Sequence, residues 1–121
     1  FADMGLKCFS GNGAIPLPAL TMGAVGTVDA PLSVAPWHYT ELHGAWERGD
    51  LATAQRLQDG AAKIVDIVRM FGAPAGVTKL ILSERLGIDC GRPIPPVMDL
   101  TDEQRPIVLA AAKEAGLLSN P

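Results

Sequence analysis

Phe9 to Pro36 reads FSGNGAIPLPALTMGAVGTVDAPLSVAP, and its order of apolar runs and breaks decides the fold. One short apolar run, Leu6 to Phe9, leads into it, and a second, Ala24 to Val28, lies within it. Each run meets a break, Ser10-Gly11-Asn12-Gly13 after the first and Asp29-Ala30-Pro31 after the second. Glycine relaxes the backbone and Asn tolerates positive φ, so neither run continues as a strand through its break. Between them Ala14 to Met22 predicts a weak helix, with Pro16 and Pro18 tolerated near its first turn and Gly23 as its stop. The resulting grammar is strand, loop, helix, strand, loop, helix. In such α/β units the functional groups sit on the loops that follow the strands.

Downstream the pattern is helical. Ser33 to Pro36 opens a firmer helix, on which Tyr39, Leu42 and Trp46 share one face. Gly49 ends it, and Asp50 caps the next, predicted to run to Phe71. Leu57, Ala61, Ile64, Val68 and Phe71 form the best amphipathic repeat in the chain. Gly60 inside that helix costs about 1 kcal/mol against alanine, so packing must hold it. Gly72-Ala73-Pro74 breaks the chain, Ala75 to Leu86 makes another helix, and Gly87 stops it. The proline-rich segment Gly91 to Pro96 predicts an extended loop, and Thr101-Asp102-Glu103-Gln104 is a capping box for a last helix ending near Gly116. Upstream, Phe1 to Met4 followed by Gly5 reads as a helix end with its glycine stop, which predicts a piece of a longer polypeptide. A pair of parallel strands cannot bury both faces, so the piece should lack a complete core.

The bulk numbers narrow the function classes. At 121 residues, 48% of them apolar, one domain with a modest core is expected. A net charge of −3 with scattered basic residues predicts no nucleic-acid or acidic-lipid surface. The uncharged run Ser10 to Val28 is broken by prolines and glycines and makes a poor membrane span. Cys8 and Cys90 lie far apart without a CxxC partner, as expected of free thiols in a reducing compartment.

Ser10-Gly11-Asn12, then Met22-Gly23-Ala24-Val25-Gly26-Thr27-Val28, then Val34-Ala35-Pro36, resembles the dihydrodipicolinate synthase and N-acetylneuraminate lyase family. The tail fits as well, through Glu47-Arg48-Gly49-Asp50-Leu51, Phe71-Gly72-Ala73-Pro74, Val77-Thr78-Lys79, Gly87-Ile88-Asp89 and Arg92-Pro93-Ile94-Pro95-Pro96. Any one piece is weak; the ordered set over most of the chain is strong. The resemblance implies an α/β fold, the C-terminal part of a (β/α)8 TIM barrel (strands 7 and 8) with a C-terminal helical extension. Residues 1–49 would supply the last two strand–helix units and residues 50–121 the extension.

It also implies a pyruvate-linked class I aldolase. Such enzymes bind pyruvate or another 2-keto acid as a Schiff base on a sixth-strand lysine. A fifth-strand tyrosine relays protons, and an aldehyde is the second substrate; some relatives are dehydratases. No cofactor or metal is implied, nor any nucleic-acid or membrane partner, and a cytoplasmic homo-oligomer, commonly a tetramer, is expected. The lysine and tyrosine strands would lie upstream of Phe1, so no catalytic residue carries over. Lys7 is the tempting exception, but Gly11 lies fifteen residues before Gly26, the step from strand seven to strand eight. A lysine whose charged end snorkels to solvent is the plainer reading.

The resemblance makes Gly11, Asn12, Gly13, Val28, Asp29 and Ala30 the substrate-binding candidates. Gly11 would let the backbone approach the substrate, or mark a plain turn. Sialic-acid-cleaving relatives carry acids where Gly13 and Ala14 stand, to hold a glycerol tail, which this chain lacks. Asp29 replaces a small residue and would bind a substrate hydroxyl or the amides of its own loop. Other signals are weaker. His38 and His43 are five apart and do not share a helical face as a metal pair would. Trp37, Tyr39 and Trp46 read as packing residues, Asp102 and Glu103 as helix N-terminal charges, and Ser10 lacks a hydrolase frame. The competing reading is a non-catalytic helical interaction module derived from such a lyase.

Overall fold

The computed structural model describes residues 2–119. Among these residues the order is β1 (Phe9–Ser10), α1 (Pro16–Thr21), β2 (Gly26–Thr27), α2 (Pro31–Val34), α3 (Pro36–Glu47), α4 (Leu51–Val68), α5 (Pro74–Leu86) and α6 (Gln104–Glu114). The fold is α/β and mostly helical. The chain divides into two compact units, Phe1–Val65 and Asp66–Pro121. The boundary falls inside α4, whereas the sequence reading divides the chain after Gly49. The start of α4 joins the first unit because Gln58 and Leu57 are bonded to Ala14, Leu17 and His38.

In the first unit β1 and β2 pair in parallel, Phe9 opposite Gly26 and Ser10 opposite Thr27. The ladder is extended by the Val25 N–H donating to the Cys8 carbonyl and the Val28 N–H donating to the Ser10 carbonyl, each at 2.8 Å. Both strands are shorter than the apolar runs Leu6–Phe9 and Ala24–Val28 that predict them. Among the described residues each strand pairs only with the other. The lack of a second layer shows in exposure: Phe9 is 58% and Val28 67% accessible. Gly26 is needed here, because a Cβ on it would lie 3.1 Å from the Phe9 ring.

The helix predicted over Ala14–Met22 is trimmed to α1. Ile15 precedes Pro16 and is driven to φ −132°, ψ 42°, outside the helical region. At its far end the Gly23 N–H donates to the Leu20 carbonyl and the Ala24 N–H to the Ala19 carbonyl. That is a Schellman closure, with Gly23 at φ 92°. Helix α2 was not expected. Pro31 starts it, and Pro36 ends it by forcing Ala35 to φ −141°. On α3 the buried seam is Tyr39, Leu42 and Ala45, so Ala45 takes the place predicted for Trp46, which is only half-buried. The Asp50 carboxylate accepts from the Thr53 N–H at 3.1 Å and caps α4 as predicted.

Helix α4 stops at Val68, short of the predicted Phe71. Phe71 sits at φ 58° and Gly72 at φ 67°, and two successive left-handed residues cannot continue a right-handed helix. Phe71 is 40% accessible, so too little burial rewards a last turn. In the second unit α5 begins on Pro74 and ends on Gly87 in the left-handed conformation. Its core is Val77, Leu80 and Ile81 from α5, Val108 and Ala112 from α6, and Leu100 and Leu117. One half of the predicted capping box is present, with the Thr101 N–H donating to Gln104 Oε1 at 3.0 Å, while the Gln104 N–H goes to the Thr101 backbone carbonyl at 3.1 Å. No helix of the described residues is long and apolar enough to cross a membrane. The helix end expected over Phe1–Met4 is a single 3-10 turn, Ala2–Met4, before Gly5; Phe1 itself lies outside the described residues.

Candidate functional site

Two parallel strands place the loops that follow them side by side. The loop after β1 carries Gly11, Asn12 and Gly13, and the loop after β2 carries Val28, Asp29 and Ala30. The contact between them is direct: the Gly13 N–H donates to Asp29 Oδ2 at 2.7 Å. The other carboxylate oxygen, Oδ1, accepts from the Ala30 N–H at 2.8 Å. Of the two partners foreseen for Asp29, the amides are therefore the ones engaged, and one of them belongs to the neighbouring loop.

The first loop is also tied within itself. The Asn12 N–H donates to Ser10 Oγ at 3.2 Å, and Asn12 Oδ1 accepts from the Ala14 N–H at 3.0 Å. From α4, Gln58 Nε2 donates to the Ala14 carbonyl at 2.6 Å and Gln58 Oε1 accepts from the Leu17 N–H at 3.0 Å. From α3, the Tyr39 hydroxyl donates to the Gly13 carbonyl at 3.0 Å. Tyr39 is 6% accessible, and burial, with the Asp29 charge adding to it, pushes its phenol up to about 12.

The two glycines of the loop differ in kind. A Cβ on Gly13 would lie 3.1 Å from the Tyr39 hydroxyl, 3.2 Å from Asp29 Oδ2 and 3.3 Å from Pro31 Cγ. Gly13 is thus a packing glycine. Gly11 has nothing within 4 Å of a built Cβ and no positive φ, so the fold around it does not require glycine. Gly11, Val28 and Ala30 are exposed, Asn12 and Asp29 half-buried, and Gly13 buried. Lys7 is exposed and precedes β1.

The sequence reading missed Ser10, Tyr39 and Gln58 as holders of this rim. Tyr39 had a signal, since a buried tyrosine hydroxyl needs a partner; nothing in the sequence ties Gln58 to residues forty-odd positions away. The histidines are engaged elsewhere: His38 Nε2–H donates to the Leu57 carbonyl at 2.7 Å, and His43 reaches the Val25 carbonyl and Glu47. A groove of about 480 Å³ lies between the strands, α1 and α3, lined by Phe9, Leu20, Thr27, Leu42 and His43 among others. None of the six candidate rim residues lines it.

The comparisons with known proteins agree on one family. The model of the Dihydrodipicolinate synthetase family matches residues 2–115. A 4-hydroxy-tetrahydrodipicolinate synthase of Mycolicibacterium paratuberculosis is 36% identical over 118 residues, covering 97% of this chain and 38% of the relative. Among solved structures, a dihydrodipicolinate synthase of Bacillus anthracis superposes with a TM-score of 0.77 at 27% identity, over 88% of this chain and 36% of the other. The N-acetylneuraminate lyase of Proteus mirabilis gives 0.69 at 28% identity, over 82% and 33%. The chain thus spans about 38% of the length of the curated relatives it matches first. With residues 2–115 matched by that family's model and a 36% identical synthase aligned over 97% of its length, this chain belongs to the dihydrodipicolinate synthetase family.

Proposed function

We propose that this chain is the C-terminal portion of a Schiff-base-forming lyase or synthase that joins or cleaves pyruvate, or another 2-keto acid, and an aldehyde. One observation carries the reading. A parallel strand pair with both outer edges open presents two post-strand loops joined by the Gly13–Asp29 bond, in a chain about 38% as long as the synthases it matches. In this reading β1 and β2 are strands 7 and 8 of a (β/α)8 barrel, residues 1–49 are its last two strand–helix units, and residues 50–121 are a helical extension. The open groove beside Phe9 and Thr27 is then the seat of a neighbouring strand–helix unit.

Gly11, Asn12, Gly13, Val28, Asp29 and Ala30 form part of the pocket rim. Gly11 brings backbone close to the substrate; Asp29 acts by holding the rim rather than by meeting the substrate with a free carboxylate. The reactive lysine and the relay tyrosine belong to earlier strands. An unprotonated lysine there attacks the keto carbon, the former carbonyl oxygen leaves as water, and the resulting iminium draws electrons from the bond that breaks or forms. The segment alone is inactive, needs no cofactor, and sits in a cytoplasmic homo-oligomer. The test is a screen of the intact protein with pyruvate and a panel of aldehydes, followed by product detection. Turnover of a 2-keto acid is expected; no reaction of any 2-keto acid in either direction overturns the proposal.

A further inference from the structure

We propose that Tyr39 and Asp29 are positioning residues that clamp the backbone on both sides of the Gly13 Cα and so set where the loop 11–13 meets bound substrate. The proposal rests on the lyase reading for its substrate and on geometry for everything else. The Asp29 carboxylate takes the Gly13 N–H at 2.7 Å and the Tyr39 hydroxyl gives its proton to the Gly13 carbonyl at 3.0 Å. These bonds fix the two peptide units that flank one Cα. The space over that Cα is closed by the phenol oxygen, the carboxylate oxygen and Pro31 Cγ, all within 3.3 Å of a built Cβ. A side chain at this position would press on all three neighbours.

The holders come from different elements. Tyr39 is rooted in the buried seam of α3, with the His38 ring edge-on at 5.8 Å. Asp29 is itself fixed through Oδ1 on the Ala30 amide. At the other end of the loop, Ser10 and Asn12 are bonded to each other. The loop is therefore tied at both ends while Gly11, between them, faces open space. A segment built this way offers backbone to a ligand at a fixed place. A displacement of the order of 1 Å in a positioning group lowers catalytic efficiency by up to about a hundredfold. One lost tie out of two on the same residue is expected to cost about tenfold.

The test uses the intact protein with Tyr39→Phe, Asp29→Asn and Asp29→Ala. The readout is the pyruvate concentration that half-saturates borohydride trapping. Tyr39→Phe keeps the ring and removes one tie, so half-saturation should rise about tenfold with the maximal trapping rate unchanged. Asp29→Ala should exceed Asp29→Asn, because asparagine keeps one acceptor. If Tyr39→Phe melts lower than wild type yet half-saturates at the same pyruvate concentration, the clamp is structural only and the proposal is overturned.

A second readout needs no substrate. Phenolate absorbance in alkaline titration, wild type minus Tyr39→Phe, isolates this one phenol, whose facing ionisable groups are Asp29 and, on its own helix, His38. Asp29→Ala must lower its midpoint, since the carboxylate charge then no longer opposes ionisation. An unchanged midpoint overturns the clamp. A wild type that traps no 2-keto acid but shows the midpoint shift overturns the lyase reading and leaves the clamp standing.

Discussion

Replacing Gly60 with alanine should destabilise this protein, although helix propensity alone predicts the reverse. Gly60 lies in the interior of α4, where alanine is favoured by about 1 kcal/mol. A Cβ there would stand 2.5 Å from His38 Cε1 and 2.9 Å from Nε2, well inside contact distance. The same ring donates from Nε2 to the Leu57 carbonyl at 2.7 Å; a carbonyl can only accept, so Nε2 carries the proton. To admit the methyl group the ring must leave, which forfeits that bond, about 1 kcal/mol, and adds about 1–3 kcal/mol of repacking. The net effect of Gly60→Ala is a loss of about 1–3 kcal/mol after the propensity gain is subtracted. With His38→Ala already in place the obstacle is gone, and the same substitution should stabilise by about 1 kcal/mol. Urea unfolding of the four proteins of this double-mutant cycle, at fixed subunit concentration, measures both numbers. The expected sign reversal corresponds to a coupling of about 2–4 kcal/mol. Stabilisation by Gly60→Ala in both backgrounds would refute the reasoning.

Three other outcomes follow from the structure. The Tyr39 phenol is raised from 10.0 to about 12, so the fold favours its protonated form. Its contribution is complete below pH 10 and lost as pH rises from 10 to 12, at most about 3 kcal/mol; urea midpoints across that window should fall more in wild type than in Tyr39→Phe. Gly49→Ala, at φ 74° with nothing within 4 Å, should cost about 1–2 kcal/mol through backbone strain alone, whereas Gly11→Ala should leave stability within about 0.5 kcal/mol and still weaken pyruvate trapping.

Helix stops and caps were legible in the sequence because they depend on neighbours in the chain. Asp50 caps α4, Gly23 and Gly49 close α1 and α3, and Gln104 reaches back to the Thr101 amide, all as residue type and spacing predict. The parallel strand pair was legible in its order though not in its length, since ladder length depends on partners. What escaped was set at a distance. Ala45 displaced Trp46 from the seam of α3 because burial follows what packs against a helix, not hydrophobicity alone. Phe71 left α4 because two left-handed residues came in succession, which no apolar repeat reveals. The rim shows the same division. Its six candidate residues were picked out by resemblance, and the structure puts their two loops in contact. That Gly13 is packed while Gly11 is open depends on Tyr39, Asp29 and Pro31 arriving from elsewhere. Spacing along the chain carries none of that.

The central claim of the proposed function is that a reactive amine lies outside these 121 residues and that this chain completes the pocket around it. Borohydride reduction of the intact protein in the presence of pyruvate, followed by peptide mapping of the modified lysine, tests it most directly. The account predicts one adduct, on a lysine that precedes Phe1. An adduct on Lys7, or none with pyruvate or any other 2-keto acid, would contradict it.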